Sequence, residues 1–332
     1  PQGILAAAMA AAETMTSATG TFAVDVTFDA DTAQMPAEAK AFVEEPMSIS
    51  GTLAYGSEPL AADMTLSLSL AGEAMNAGIK LLDDKGWLQL GGQWYEAPPE
   101  LSDMMGGPKA DAAAADQAAK MAQMKQALTA AGIDPLTWIK DLRLVGEEKV
   151  DGVDAYHLAG APDLTKIIVD VMAMLQNPEA MKTLDPSGSL SGLMGGVPGG
   201  AASGSSEGLG AAGLGVNPSM LLQMQQQITA MFQSLTADVW IAKDDLMMLR
   251  FTAGAKIVPP AGEDSGGLSG ITLDMDVTLQ DHNQAVTVAA PAGAKPFSAL
   301  EEAMEKDPAS ILGPLGGILG MTGGMGFGDA TQ

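Results

Sequence analysis

The chain has 332 residues, with 41 acidic against 16 basic side chains and a formal charge of −25. A negative field of that size repels phosphate and so opposes binding to nucleic acid or to anionic lipid headgroups, and the absence of Cys excludes disulfides and thiol chemistry. Apolar residues reach 47% but aromatics only 4%, while Met occurs 23 times. Met is flexible and polarizable, so it suits either a surface that accepts varied apolar partners or a core built with Met in place of Leu.

In chain order, residues 4–18 (ILAAAMAAAETMTSA) read as an Ala-rich helix stopping at Gly20. Phe22, Val24, Val26 and Phe28 then alternate with Ala23, Asp25 and Thr27, the period of a strand with one apolar face. Residues 29–46 are acidic and irregular. Residues 47–55 and 62–71 repeat the alternation, the second with Met64, Leu66, Leu68 and Leu70 on one side. Residues 76–82 follow, Asp83-Asp84-Lys85-Gly86 reads as a turn into Trp87-Leu88-Gln89-Leu90, and Gln93-Trp94-Tyr95 completes an antiparallel meander.

The middle of the chain reads as helical. Residues 111–131 predict a helix ending at Gly132, and Asp134 with Pro135 looks like an N-cap and first residue of a short helix through Trp138. Residues 141–148 and 153–159 flank an Asp-Gly hairpin turn at Asp151 and Gly152. Asp163 is placed to cap a helix with the stripe Leu164, Ile167, Ile168, Val171, Met172 and Leu175. Residues 185–216 are mostly Gly, Ser and Ala, and are expected to form a flexible insertion. Asn217-Pro218 opens a helix with the stripe Met220, Met224, Ile228, Met231 and Leu235.

A second meander spans residues 238–291. Ile271, Leu273, Met275, Val277 and Leu279 alternate with Thr272, Asp274, Asp276, Thr278 and Gln280. Asp244-Asp245 and Asp281-His282-Asn283 read as hairpin turns. Ser298 and Glu301 have capping-box spacing for a helix to Lys306, and Asp307-Pro308 opens a last short helix before a Gly/Met-rich tail. Two meanders with amphipathic helices between them predict an α+β fold: a long curled antiparallel sheet, or half-barrel, with helices on its concave apolar face. Residues 1–306 are expected to form one domain, with 307–332 a short helix and tail.

The order of these phrases is itself informative. ILAAAMAAAETMTSATGTFAVDVTF, GTLAYGSEPLAADMTLSL, DDKGWLQLGGQWYEAP, VDGVDAYHLAG, VWIAKDDLMMLRFTAG and ITLDMDVTLQDHNQAVTVAAPAGAKPF together resemble the LolA-like lipoproteins of Gram-positive actinobacteria, of the LppX/LprG type. The resemblance covers about residues 4–297 apart from the Gly/Ser insertion. It implies an apolar cavity between sheet and helices that carries lipids or acylated glycolipids, in an exported protein of the cell envelope. It also implies membrane anchoring through a lipidated Cys, which would have to precede Pro1.

Catalytic signatures are weak. Gly208 to Gly213 matches G-x-G-x-x-G and Gly204 to Gly208 matches G-x-S-x-G, but a Ser/Gly run precedes both where a strand is required. His157 falls within a strand and His282 in a turn, where structural roles are expected. Asp25, Asp29 and Asp31 lack the Gly and terminal Glu of a calcium loop, and two His without Cys offer no zinc constellation. Asp274 and Asp276 read as the solvent face of their strand. No enzyme activity, cofactor or metal is expected.

A lipid carrier needs no sharp polar motif. Each buried methylene contributes about 0.8 kcal/mol, so a ~16-carbon chain gains roughly 13 kcal/mol before ordering costs, against ~1 kcal/mol net for one hydrogen bond. The candidate lining is Phe22, Val24, Val26, Phe28, Leu66, Leu68, Leu70, Met275, Val277 and Leu279 from the strands, with Met220, Met224, Ile228 and Met231 from a helix. The alternative is an acidic surface or adhesion scaffold that binds a protein partner.

Overall fold

The computed structural model describes residues 1–34, 40, 43–57, 60–70, 72–83, 85–98, 119, 122–177, 180, 226–259 and 267–306. The chain forms two compact units, one of residues 1–111, 142–160 and 233–332, the other of residues 112–141 and 161–232.

The first unit is organised on an eleven-stranded antiparallel sheet that does not close on itself. Its strands are β1 (Ser17–Ala30), β2 (Met47–Ser57), β3 (Leu60–Leu70), β4 (Glu73–Leu82), β5 (Lys85–Leu90), β6 (Gln93–Glu96), β7 (Ile139–Val150), β8 (Val153–Pro162), β9 (Phe232–Ala242), β10 (Met248–Ile257) and β11 (Leu268–Gln280). They lie in the order β6-β5-β4-β3-β2-β1-β11-β10-β9-β8-β7. Two meanders are therefore joined back to back: β1 to β6 runs outward to one edge, β7 to β11 returns inward from the other, and β1 pairs with β11 in the middle. The result is the half-barrel type of α+β sheet that the alternation predicts.

Local chemistry sets the turns. Asp151 and Gly152 both have positive φ (49° and 87°), as do Gly91 and Gly92 (55° and 78°), the backbone that two-residue hairpin turns require. Asp134 accepts a hydrogen bond from the Leu136 amide at 3.0 Å and starts a single 3-10 turn, Pro135–Trp138. Asp163 caps α2 (Leu164–Gln176) through the Lys166 amide, also at 3.0 Å. Gly132 has φ 69° just beyond helical residues 122–130, so it stops that helix as its lack of a side chain permits.

Four local expectations differ from the structure. Helix α1 (Gln2–Ala12) ends eight residues before Gly20, which sits inside β1. Strand pairing wins there, since Ser17 to Val26 pair along β2 from Gly56 to Met47. Leu235 belongs to β9 and not to the preceding helix. Asp281 and Asn283 do turn the chain, both with positive φ, but no strand follows them. Both edges of β11 are already taken by β1 and β10, so a hairpin partner has no edge to join. Finally, α3 (Phe297–Lys306) includes Ser298 in its first turn, so Ser298 is not its cap. The insertion at 185–216, the 307–332 tail, and Met220 and Met224 lie outside the described residues.

Candidate functional site: the apolar face of the sheet

Antiparallel partners directly opposite one another project to the same face, so the register decides which side chains share a surface. One row runs Phe251, Val277, Phe22, Gly51, Leu66, Ala77 and Leu90 across seven strands. The next runs Ala253, Met275, Val24, Ile49, Leu68 and Met75. A third runs Leu279, Gly20, Leu53, Met64, Ile79, Leu88 and Tyr95. Val26, Phe28 and Leu70 belong to the same face, two-residue steps along strands already placed. All ten strand-borne candidates thus stand on one face, although they come from three strands, β1, β3 and β11, far apart in sequence.

The ends of this face are covered by helices of the same unit. Ala8 of α1, with Ile4 and Leu5, packs on Leu158, Val239 and Ile241, and both Leu158 and Ile241 are fully buried. At the other end Leu300 of α3 packs on Tyr95 and Leu90. Between them Val26, Leu68 and Leu70 are buried, whereas Phe22, Val24, Phe28, Leu66, Met275, Val277 and Leu279 are half-buried. Tyr55 and Met64, diagonal neighbours on this face, are each 39% exposed. Of the helix candidates, Ile228 and Met231 are helical and half-buried, and they belong to the second unit.

Several members of the apolar face were not singled out from the sequence. Phe251, Ile49 and Leu53 are examples, and the alternation in 47–55 and 249–257 is the signal that carries them. Choosing them needs the register, because alternation alone does not say which of a strand's two faces is shared with a neighbour.

The opposite face is polar and tied together by side chains. Thr52 and Thr65 share a hydroxyl hydrogen bond of 2.7 Å, and Lys80 meets Asp63 at 2.7 Å while lying 5.4 Å over the Trp94 ring. Arg250 forms a two-pronged ion pair with Asp276 and lies 5.2 Å over Trp240. Its hydrogen bond to Asp276 pushes the guanidinium further toward its charged form, against the cost of partial burial. On the other side of the sheet Glu147 holds Lys243 charged in the same way, and Lys243 lies 5.3 Å over Tyr156, the partner of Ile241. Asp274 is exposed on the polar face and Asp276 is engaged by Arg250, as expected of a solvent-facing row. A shallow depression of about 300 Å³ opens here between Thr19, Thr21, Thr52, Asp63 and Gln280, so it lies across the sheet from the candidate lining.

His157 also sits on the polar face, each ring nitrogen beside a carboxylate, and among the described residues no hydroxyl nucleophile is joined to it. His282 lies in the turn after β11. Among the described residues no group of three or more His, Asp or Glu is placed to hold a metal ion. The two glycine motifs at 204–213 fall outside the described residues. No described helix is long and apolar enough to cross a membrane.

No protein-family model matches the chain, and no curated protein does. Among solved structures, lipoprotein LppX of Mycobacterium tuberculosis aligns over 87% of this chain and 97% of its own, at 15% identity and a TM-score of 0.34. LprF from Mycobacterium bovis aligns over 88% and 97%, at 14% identity and a TM-score of 0.33. MucB, solved in complex with MucA(peri), aligns over 88% of this chain and 57% of its own, at 14% identity and a TM-score of 0.24. At such TM-scores these likenesses carry no argument about function.

Proposed function

We propose that the chain is a non-catalytic lipid carrier of the cell envelope, holding the acyl chains of a lipid or acylated glycolipid against the apolar face of its sheet. The observation that supports this reading is the convergence of Phe22, Val24, Leu66, Met275, Val277 and Leu279 on one face, where they stay half-buried. A folded sheet ordinarily hides such a face, because each large apolar side chain contributes about 1.5–3 kcal/mol when fully removed from water. Leaving part of that contribution unrealised along the middle of the sheet is what an acyl ligand would reclaim. The rows mix Met, Phe, Val and Leu, adaptable apolar surface with few polar atoms, which fits a chain-like ligand better than one recognised by hydrogen bonds.

The test is native mass spectrometry of protein purified from a lipid-containing host, followed by denaturation and lipid extraction. A stoichiometric lipid that leaves on denaturation supports the carrier and gives its class. A bare protein mass that takes up nothing from cell-envelope extracts overturns it.

A further inference from the structure

The polar face carries a feature that the carrier reading does not use. His157 of β8 has Nδ1 2.9 Å from Glu148 Oε1 on β7 and Nε2 2.8 Å from Asp238 Oδ1 on β9. Its ring stacks on Trp240 of β9, with centroids 4.3 Å apart and planes 15° from parallel. The Trp240 indole N–H donates to the same Glu148 oxygen at 2.6 Å, and Arg250 of β10, itself paired with Asp276 of β11, lies over the Trp240 ring. Asp151 adds a further negative charge near Arg250.

A neutral imidazole has one N–H and one lone pair. With carboxylates at both nitrogens, the neutral ring sets its lone pair against one carboxylate oxygen, a repulsive contact. Only the doubly protonated ring donates to both. The side chain is only 16% exposed, so water has limited room to separate the unfavourable pair.

We propose that His157 is a proton-operated tie across β7, β8 and β9: the imidazolium bridges Glu148 and Asp238, and loss of one proton opens one of the two links. Its effect reaches the other face of the sheet. Leu158 and Ile241 follow His157 and Trp240 in sequence, so they project oppositely, and it is on these two buried residues that α1 packs. Deprotonation on the wet face therefore loosens the strand corner that seats α1.

The sign follows from the proton count. The doubly protonated ring holds both links and the singly protonated ring only one, so both links hold on the acid side and one is lost as pH rises. The experiment uses the full chain labelled with ¹⁵N. Long-range ¹H–¹⁵N spectra should show both ring nitrogens of His157 protonated at about pH 5.5. Amide exchange in β7 and α1, corrected for the intrinsic rate, should accelerate about tenfold relative to β2 on going to about pH 8. Asp238→Asn removes the conflict, since an amide can accept from Nε2–H or donate to its lone pair, so that extra acceleration should vanish. His157→Gln should abolish it too; if that variant does not fold, the ring spectra and Asp238→Asn decide alone. A single tautomer with one N–H at every pH, or equal acceleration in wild type and Asp238→Asn, overturns the tie.

Discussion

Phe22 lies directly across β1 and β2 from Gly51, and its ring occupies the space a side chain at position 51 would take. A Cβ there would come within 2.7 Å of Phe22 Cζ, and closer still to the Thr65 carbonyl oxygen on β3. A glycine in mid-strand is weak in itself, but here it admits an aromatic ring and the close approach of a neighbouring strand. Gly51→Ala is therefore expected to destabilise the protein by about 1–3 kcal/mol, read from urea denaturation. Adding Phe22→Ala should give back only part of the loss, because the Thr65 carbonyl remains in the way; full additivity of the two changes would refute the shared crowding.

The apolar face was legible in the sequence because it depends on a period of two, which each strand carries by itself. Every alternating run from Phe22 to Leu279 fell on a strand of the sheet, and the Asp151-Gly152 turn formed as its backbone preferences dictate. Partner choice was not legible. The central pairing of β1 with β11 joins Phe22 to Val277, and nothing within either strand names the other. The same limit applies to His157, whose two carboxylates come from β7 and β9. Occupied edges also lie beyond local reading: Val286 and Val288 look strand-forming, yet β11 has no free side to offer them.

On the polar face the register sets Asp25 of β1 directly opposite Asp274 of β11, both exposed. Like charges across an antiparallel pair repel, so Asp25→Asn or Asp274→Asn should stabilise the protein by roughly 0.2–1 kcal/mol at low salt. The gain should shrink as ionic strength rises, since the pair is open to solvent. Thermal melts of wild type and variant at about 0.02 M and about 0.5 M salt check this, and a gain that ignores salt would point away from charge repulsion.

The carrier reading makes a face-specific prediction. Val24 and Ala23 are neighbours in β1, half-buried on opposite faces. Val24→Ser places a hydroxyl in the apolar rows and should weaken uptake of a fluorescent fatty acid about fivefold or more, as two lost methyl groups and an unmatched hydroxyl suggest. Ala23→Ser adds the same hydroxyl to the polar face and should leave uptake unchanged. Circular dichroism of both variants shows whether the sheet is intact. Equal effects from the two positions would remove the apolar face from the binding account.

In the second unit, Asp170 of α2 is buried, with Oδ2 accepting from the Trp138 indole N–H at 2.8 Å and from the Lys166 ammonium. The Lys166 hydrogen bond is the main reason its carboxyl titrates below the usual range; burial opposes this, and Trp138 and the Lys166 charge add to it. A carboxylate whose folded pKa is depressed contributes stability above its unfolded pKa, and that contribution fades as pH falls through the folded value. Asp170→Asn keeps the shape but loses the charge, so it should cost about 1–3 kcal/mol at neutral pH. The difference between wild type and variant should stay level above about pH 5 and narrow progressively below about pH 4. Urea titrations followed through the Trp138 indole N–H resonance report on this unit directly. A difference that persists undiminished at about pH 2 would mean that Asp170 acts through packing and not through its charge.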